Sequence, residues 1–377
     1  MDSKQTQSSL HSDRRRFLKG AGAGTLALAA GKVAAAQSAP ATPETVPHGG
    51  ATRPLTDKEK VARIASNSYP IRFNFKTRNR ESDQKSQEMQ KKYGTITLFD
   101  FPEFTREHFP GVYQMDVWNS LFGDSADNSM YLEETAEFYG KRRTWSEFDP
   151  SAASSKAWLD KFASKCVTTG TKVHHISNNA PRDICDLDAE KRQRGIAVAK
   201  SWLDAAATLG AKSMRVNSGG PRIAPAPIAD PSSYPKNEPL AVYLANCIES
   251  FKEMADYGGK HGVKVTLENH WGLTANPINI KIIIEEVNHP FCEASPDFCN
   301  WEHEYLLFHA LNDLAPYAHT NVHAKYWDRW KNPDVQRNVR IMLNNGYTGV
   351  FALEYEDGPW DGVEGAKYLY REVMAAL

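Results

Sequence analysis

Neither sign of charge is in excess in this chain of 377 residues, where 45 Lys and Arg stand against 46 Asp and Glu. A nucleic-acid partner would call for a basic stripe or a zinc-finger spacing; neither is present, and no nucleic acid is expected. A small anionic substrate stays open, because a local basic pocket does not need a basic protein. Cysteine is scarce too: five occur, at 166, 185, 247, 292 and 299, with no C-x-x-C pair. An odd, scattered set argues against a disulfide framework and a zinc knuckle, and favours buried free thiols. No G-x-G-x-x-G follows the first strand signal, so a dinucleotide fold loses its main support. What remains is ordinary globular composition, 41% hydrophobic and 24% charged, with length enough for a large core.

The N-terminus reads as a targeting segment. Asp13-Arg14-Arg15-Arg16-Phe17-Leu18-Lys19 resembles the twin-arginine export motif. A weakly apolar Gly/Ala run follows over 20–31, then Lys32, then the small residues Ala34 and Ala36 of a cleavage site. The run is too short and glycine-rich for a stable membrane span. Residues 1–36 are therefore expected to be a signal peptide and 37–57, rich in Ala, Pro, Thr and Gly, a flexible linker. The expected location is periplasmic or secreted, with the export machinery as a partner; assembly into a homo-oligomer is left open.

Beyond the linker, strand and helix signals alternate. Strands are expected over 61–67, 112–118, 172–177, 213–217, 265–271, 292–296, 320–324 and 349–354. Between them lie helical patterns such as 191–209, whose Ile196, Ala199, Trp202, Leu203 and Ala206 share one face. Asn276 followed by Pro277 is a helix start. Residues 119–150 are polar and aromatic without clear periodicity and read as an irregular loop over an active-site mouth. Eight strands alternating with helices require parallel pairing through crossovers. The predicted fold is an α/β single-domain (β/α)8 TIM barrel over 58–377, whose functional side chains belong at the C-terminal strand ends.

Four of the late strands end in metal-ligand types: Glu268, Asp297, His323 and Glu354, spaced by 29, 26 and 31 residues. Each interval fits one strand–helix unit, so the four would stand on strands five to eight at one rim. Three carboxylates and an imidazole suit one hard divalent ion, Mn²⁺, Mg²⁺ or Co²⁺, with Zn²⁺ as the alternative. Around them, His270 (two after Glu268), Lys325 (two after His323), and Arg215 and Asn217 (ending strand four) are candidates for binding substrate. Trp271, Trp327 and Trp360 follow strand ends and could form a sugar-stacking wall. Glu356 rivals Glu354 as a ligand; Glu354 closes the apolar run directly. His174 and His175 read as core histidines.

From about residue 61 onward the chain resembles the sugar phosphate isomerase/epimerase family with a xylose isomerase-like barrel. The resemblance rests on Glu268-Asn269-His270, Pro296-Asp297-Phe298-Cys299-Asn300, His323-Ala324-Lys325 and Leu353-Glu354-Tyr355-Glu356, with Leu98-Phe99-Asp100-Phe101-Pro102 before strand two. It implies the ligand set Glu268, Asp297, His323 and Glu354. Asn300 and Lys325 stand where ketose 3-epimerases of this group often carry histidines. The chemistry implied is proton transfer beside a carbonyl through an enediolate, with Glu268 and Glu354 as the catalytic acid/base pair and a small carbohydrate as substrate. Isomerisation or epimerisation leads. A lyase or dehydratase acting by β-elimination on a keto-sugar, keto-glycoside or cyclitol shares the site. A DNA-repair endonuclease of this barrel class would need more histidine ligands and a basic face. A non-catalytic periplasmic sugar-binding protein would have little use for both glutamates.

Overall fold

A computed structural model describes residues 53–79, 83–138, 141–220, 239–301, 303–330 and 333–377. The expected signal peptide, most of the linker and most of the Pro-rich loop before residue 239 lie outside the described residues.

The eight expected strands form one parallel sheet: β1 (Ile64–Asn67), β2 (Gln114–Trp118), β3 (Lys172–Ser177), β4 (Ser213–Arg215), β5 (Lys264–Leu267), β6 (Cys292–Ala294), β7 (Asn321–Trp327) and β8 (Val350–Asp357). Their order is β6-β5-β4-β3-β2-β1-β8-β7. β1 pairs with both β2 and β8, through Ala65 opposite Gln114 and Ile64 opposite Phe351. The remaining seam, between β6 and β7, is closed by the residues after β6. Pro296 has no N–H to offer a ladder, so regular pairing stops at Ala294. Its carbonyl instead accepts from the His323 N–H at 3.2 Å, and Phe298 N–H donates to His323 O at 3.2 Å. Asp297 and His323 thus face each other as a parallel bridge. The segment that seals the barrel is the one that carries a candidate ligand. The architecture is the expected (β/α)8 TIM barrel.

Strand boundaries differ from expectation where turn chemistry intervenes. Thr56 and Glu59 form a capping box that starts a short helix, Asp57–Val61, so β1 begins at Ile64 rather than Val61. The 119–150 stretch is not irregular throughout. Strands Tyr131–Phe138 and Lys141–Phe148 make an antiparallel hairpin, in register from Tyr131 opposite Phe148. Its central strands are polar on both faces, so no period-2 hydrophobic signal betrays it. Thr135 and Thr144 hydroxyls meet across it at 3.0 Å. Its base is anchored: Tyr131 OH donates to Phe122 O at 3.0 Å, and Asn119 Nδ2 donates to Glu147 at 3.0 Å.

Helical stripes read from the sequence do face the sheet. In Ala189–Thr208, capped by Asp188, Ile196, Ala199, Trp202, Leu203 and Ala206 are buried. Each large apolar side chain so buried contributes about 1.5–3 kcal/mol. Asn276 Oδ1 accepts from the Ile278 N–H, and Pro277 opens the helix Pro277–Val287, as expected. Gly262 ends Leu240–His261 in the left-handed region, where a side chain would be strained. All five cysteines are buried and free of disulfides. No described helix is long and apolar enough to cross a membrane.

Candidate metal centre

Each barrel strand, or the residues just after it, sends a polar side chain into one largely buried cluster: Asn67, Asp116, Ser177, Arg215, Glu268, Asp297, His323 with Lys325, and Glu354 with Glu356. Of these, Asp116 stands mid-strand in β2 and His323 early in β7 rather than at a strand end. His323 is its centre. Nε2 lies 2.8 Å from Asp116 Oδ2 across the barrel. Nδ1 lies 2.9 Å from Glu268 Oε2 and 3.5 Å from Glu354 Oε2, yet it has no aligned hydrogen-bond partner. The carboxylates stand beside the ring nitrogen, off the line an N–H would take.

Each carboxylate is held from behind. Glu268 accepts from Arg215 Nη1 at 2.6 Å and from Asn300 Nδ2 at 3.1 Å. Asp297 Oδ1 accepts the N–H groups of Cys299 (2.6 Å) and Asn300 (3.0 Å), while its buried Oδ2 has no hydrogen-bond partner. Glu354 Oε1 takes Lys325 Nζ at 2.9 Å. Glu356 is spent elsewhere, on Tyr69 OH (2.7 Å), Lys325 (3.0 Å) and Arg72 (3.5 Å).

These residues fit a divalent ion on three grounds. Ligand atoms of Glu268, Asp297 and His323 lie within 4.8 Å of one another. Two of them, Asp297 Oδ2 and His323 Nδ1, are buried polar atoms that make no hydrogen bond, only the ion-pair approaches of Lys325 Nζ at 3.5 Å and Glu268 Oε2 at 2.9 Å, which is costly unless something else satisfies them. The charges also do not balance: carboxylates of Asp116, Glu268, Asp297, Glu354 and Glu356 face only Arg72, Arg215 and Lys325, leaving two negative charges over. Without an ion the cluster compensates by holding protons. Burial, with Glu354 and Glu268 adding to it against Lys325, pushes Asp297 up to about 7. Burial acts against charge on His323, but Glu268, Glu354 and Asp116 outweigh it and raise its pKa well above the usual. For Glu268 the balance runs the other way. Burial would raise it, but Arg215 and His323 hold it well below the ordinary carboxylate range. A second group, Asp116, His175 and His323, is also close enough for an ion. There Nε2 of His323 is already engaged with Asp116, and His175, pushed down to about 3 by burial, bonds Ser213 Oγ at 2.8 Å. That arrangement reads as a support that fixes the His323 ring and leaves Nδ1 facing the carboxylates.

The four residues expected to converge are thus brought together, though not equally. Glu354 stands outside the tight trio, drawn toward Lys325. Of the substrate candidates, Lys325 is buried and its three donors are all directed at the protein, to Glu354, Glu356 and Asn300. Arg215 is likewise spent on Glu268, Asn178 O and Asn179 Oδ1. Asn217 lies 3.4 Å from Asn179. His270 does not continue a strand. The chain turns after Glu268, with His270 N–H donating to Glu268 O at 2.7 Å. It still lies in the mouth, where burial and Arg215 push its imidazole down to about 3. Trp271 and Trp327 meet edge to face at 6.5 Å, but Trp360 is apart from them, stacked on Tyr368 at 4.3 Å. Asp116 was not singled out from sequence. The signal was there: one carboxylate inside an apolar strand, which is expensive unless used. A bulge reinforces it. Met115 pairs with Val173 but Asp116 with His175, so His174 is skipped and the neighbours are re-aimed.

Solved structures share this fold at low identity. A 3-keto-D-glucoside 4-epimerase from E. coli superposes with a TM-score of 0.56 at 13% identity, covering 83% of this chain and 99% of that one. A xylose isomerase-like TIM barrel protein from Mycobacterium smegmatis in complex with magnesium gives 0.51 at 17%, covering 84% and 98%. A probable 3-DHS dehydratase involved in petrobactin synthesis from Bacillus anthracis gives 0.51 at 12%, covering 82% and 97%. No curated protein matches by sequence. Residues 134–377 match the xylose isomerase-like TIM barrel family across most of the barrel, and the chain belongs to that family.

Proposed function

We propose that this chain is a divalent-metal-dependent isomerase or epimerase of a sugar or sugar derivative. The observation that carries the reading is the pair Asp297 Oδ2 and His323 Nδ1, buried without a hydrogen bond and set beside Glu268 and Glu354 inside the barrel. Glu268, Asp297 and His323 would hold the ion, with Glu354 beside them; Mn²⁺, Mg²⁺ and Co²⁺ suit the donors, Zn²⁺ less so. A divalent ion bound there lowers the cost of charge developing on a substrate carbonyl oxygen. The protein's own groups do the rest. Glu354, whose Oε1 is pinned by Lys325, presents Oε2 to take a proton from the carbon next to the carbonyl, giving an enediolate. Glu268, across the cluster, is the second group of the pair. In its protonated form it would deliver a proton to the enediolate and be left as the carboxylate that Arg215 and Asn300 bind, while Glu354 keeps the proton it took until solvent exchange resets both. Return to the opposite face is epimerisation, and return to the adjacent carbon is isomerisation.

Incubation of metal-loaded protein in D₂O with keto-sugars and keto-glycosides tests this. Deuterium incorporated without a new fragment supports it. Loss of water or of an aglycone replaces it with the lyase reading, which uses the same carboxylates. No exchange with any substrate favours a sugar-binding protein.

The proposal extends to location. Twin-arginine export, with removal of residues 1–36 and a tether over 37–57, rests on the Arg pair, apolar run and small-residue site alone. Sequencing the mature N-terminus in the native host tests it; an intact residue 1 would reject it.

A further inference from the structure

Behind the metal ligands, one line of hydrogen bonds runs from the hairpin after β2 into the cluster, and the proposed chemistry does not use it. It starts at Glu147, half-buried near the end of the hairpin strand Lys141–Phe148. Glu147 Oε2 accepts from Trp145 Nε1 at 2.7 Å, and its Oε1 accepts from Asn119 Nδ2 at 3.0 Å. Asn119 opens the turn Asn119–Leu121 that follows β2 and is fully buried. Its Oδ1 accepts the N–H of Asn179, just beyond β3, at 3.0 Å. Asn179 Oδ1 in turn accepts from Arg215 Nη2 at 2.6 Å, and Arg215 Nη1 donates to Glu268 Oε2 at 2.6 Å. Five residues from five separate segments are joined in this way, and the last is an expected metal ligand.

The sense of the line is fixed chemically. A guanidinium only donates and a carboxylate only accepts. Turning the Asn119 amide over would set its NH₂ against the Asn179 N–H and its oxygen against the Glu147 carboxylate, and neither contact is a hydrogen bond. From Arg215 onward each member donates toward Glu147, so the bonds polarise one another between a cation and an anion. Arg215 Nε is also used, on Asn178 O at 3.2 Å. A planar guanidinium held by Asn178 and Asn179 presents Nη1 to Glu268 in one position. The loops that carry the line have no slack: a Cβ on Gly219 would run into Arg182 O, and one on Gly272 into Gly219 O. The hairpin strand is tied too. Asn79 Nδ2 donates to Ser146 O at 2.9 Å, and Asn79 Oδ1 accepts the Ser146 N–H at 3.0 Å, one residue before Glu147.

We propose that Glu147 and Asn119 are positioning residues, through which the hairpin sets the orientation of Glu268 toward the ion by way of Asn179 and Arg215. The inference rests on the reading of Glu268 as a metal ligand and adds the hairpin to what holds it. The test is calorimetric titration of Mn²⁺ into the full-length, chelator-stripped chain, as wild type, Glu147→Ala, Glu147→Gln, Asn119→Ala, the double alanine variant and Thr135→Val. Glu147→Ala and Asn119→Ala should each bind Mn²⁺ roughly fivefold more weakly, the worth of one hydrogen bond. The double variant should be no weaker than Asn119→Ala alone, because both changes break the same line. Glu147→Gln, whose side-chain oxygen still accepts from Asn119, should stay within about twofold of wild type. Thr135→Val removes the Thr135–Thr144 contact, which lies in the hairpin but outside the line, and should leave the affinity unchanged. Glu147 is only half-buried, so its two variants decide the matter if near-UV circular dichroism shows that Asn119→Ala does not fold. Losses that add in the double variant, an equal loss in Thr135→Val, or a Glu147→Ala protein that binds as wild type does would overturn the proposal and leave the metal reading standing. Wild-type protein that takes up no Mn²⁺ would overturn the metal reading itself, and this inference with it.

Discussion

Replacing Asp116 by Asn separates the metal's support from the metal's ligands. Asp116 is fully buried, touches no other candidate ligand than His323, and sits 2.8 Å from Nε2. Ser177 Oγ donates to its other oxygen at 2.7 Å. With the ring proton on Nε2 facing Asp116, the Nδ1 lone pair faces Glu268 and Glu354. An amide keeps the volume but offers a neutral acceptor at one atom and a competing donor at the other, so the preference for that tautomer and ring angle is lost. Removing such a carboxylate costs about 10–100-fold in metal affinity, which is about 1.4–2.7 kcal/mol. At saturating metal the same amount disappears from the stabilisation that the ion provides. For a domain of this size roughly 2 °C accompanies each kcal/mol, so the metal-induced rise in Tm should shrink by about 3–5 °C. The assay is calorimetric titration of Mn²⁺ into chelator-stripped protein, with thermal scans at fixed metal and without it. The decisive quantity is the metal-induced rise, not the absolute Tm, because a purely structural Asp116 would lower both scans together. An affinity within about twofold of wild type, or an undiminished rise, refutes the carboxylate–histidine–metal reasoning.

Three further outcomes follow from the same geometry. Glu354→Gln should lower kcat by about 10²–10⁴ with the near-UV circular dichroism intact; unchanged turnover would remove Glu354 from proton transfer. The pH dependence of the metal-free protein has a definite sign. Asp297, raised to about 7, and His323, raised well above its usual value, bind protons more tightly in the folded state. The stability they contribute is full below their unfolded pKa values, and Asp297's share is lost as pH rises toward 7. Metal binding should therefore release protons near neutrality and tighten between pH 6 and 8, read by calorimetry in buffers of different ionisation enthalpy; an affinity flat over that range contradicts the assignment. Lys325→Met should leave Glu354 and Glu356 facing each other without the ammonium between them, at a cost of about 3–5 kcal/mol in urea unfolding of the metal-free protein. An unchanged midpoint would show that Lys325 does not hold the two glutamates.

Local regularities carried most of the architecture into the sequence. Trp202 and its helical neighbours recur at a period that only one face of a helix satisfies, and Asn276-Pro277 is a start signal whatever lies around it. The hairpin after β2 escaped because its strands are wet on both sides, and alternation marks only a sheet with one dry face. The fate of His270 escaped because a turn after Glu268 cancels the two-residue rule that an extended strand obeys. Lys325 looked like a substrate ligand because sequence shows a charge but not its partners, here at Glu354, Glu356 and Asn300, 25 to 31 positions away.

The sequence by itself determined the parallel eight-strand alternation and the strand ends that bear Glu268, Asp297, His323 and Glu354, since side-chain period and helix spacing are properties of neighbouring residues. Which of these groups meet, and on what terms, was decided only by closure of the barrel. The Asp297–His323 bridge at the last seam brings β6 to β7, the bulge beside Asp116 sets it across the interior from His323, and Lys325 draws Glu354 from the trio. Contacts across a closed sheet join residues as far as 287 positions apart, as Asn67 and Glu354 are. No local pattern encodes them; the packing does.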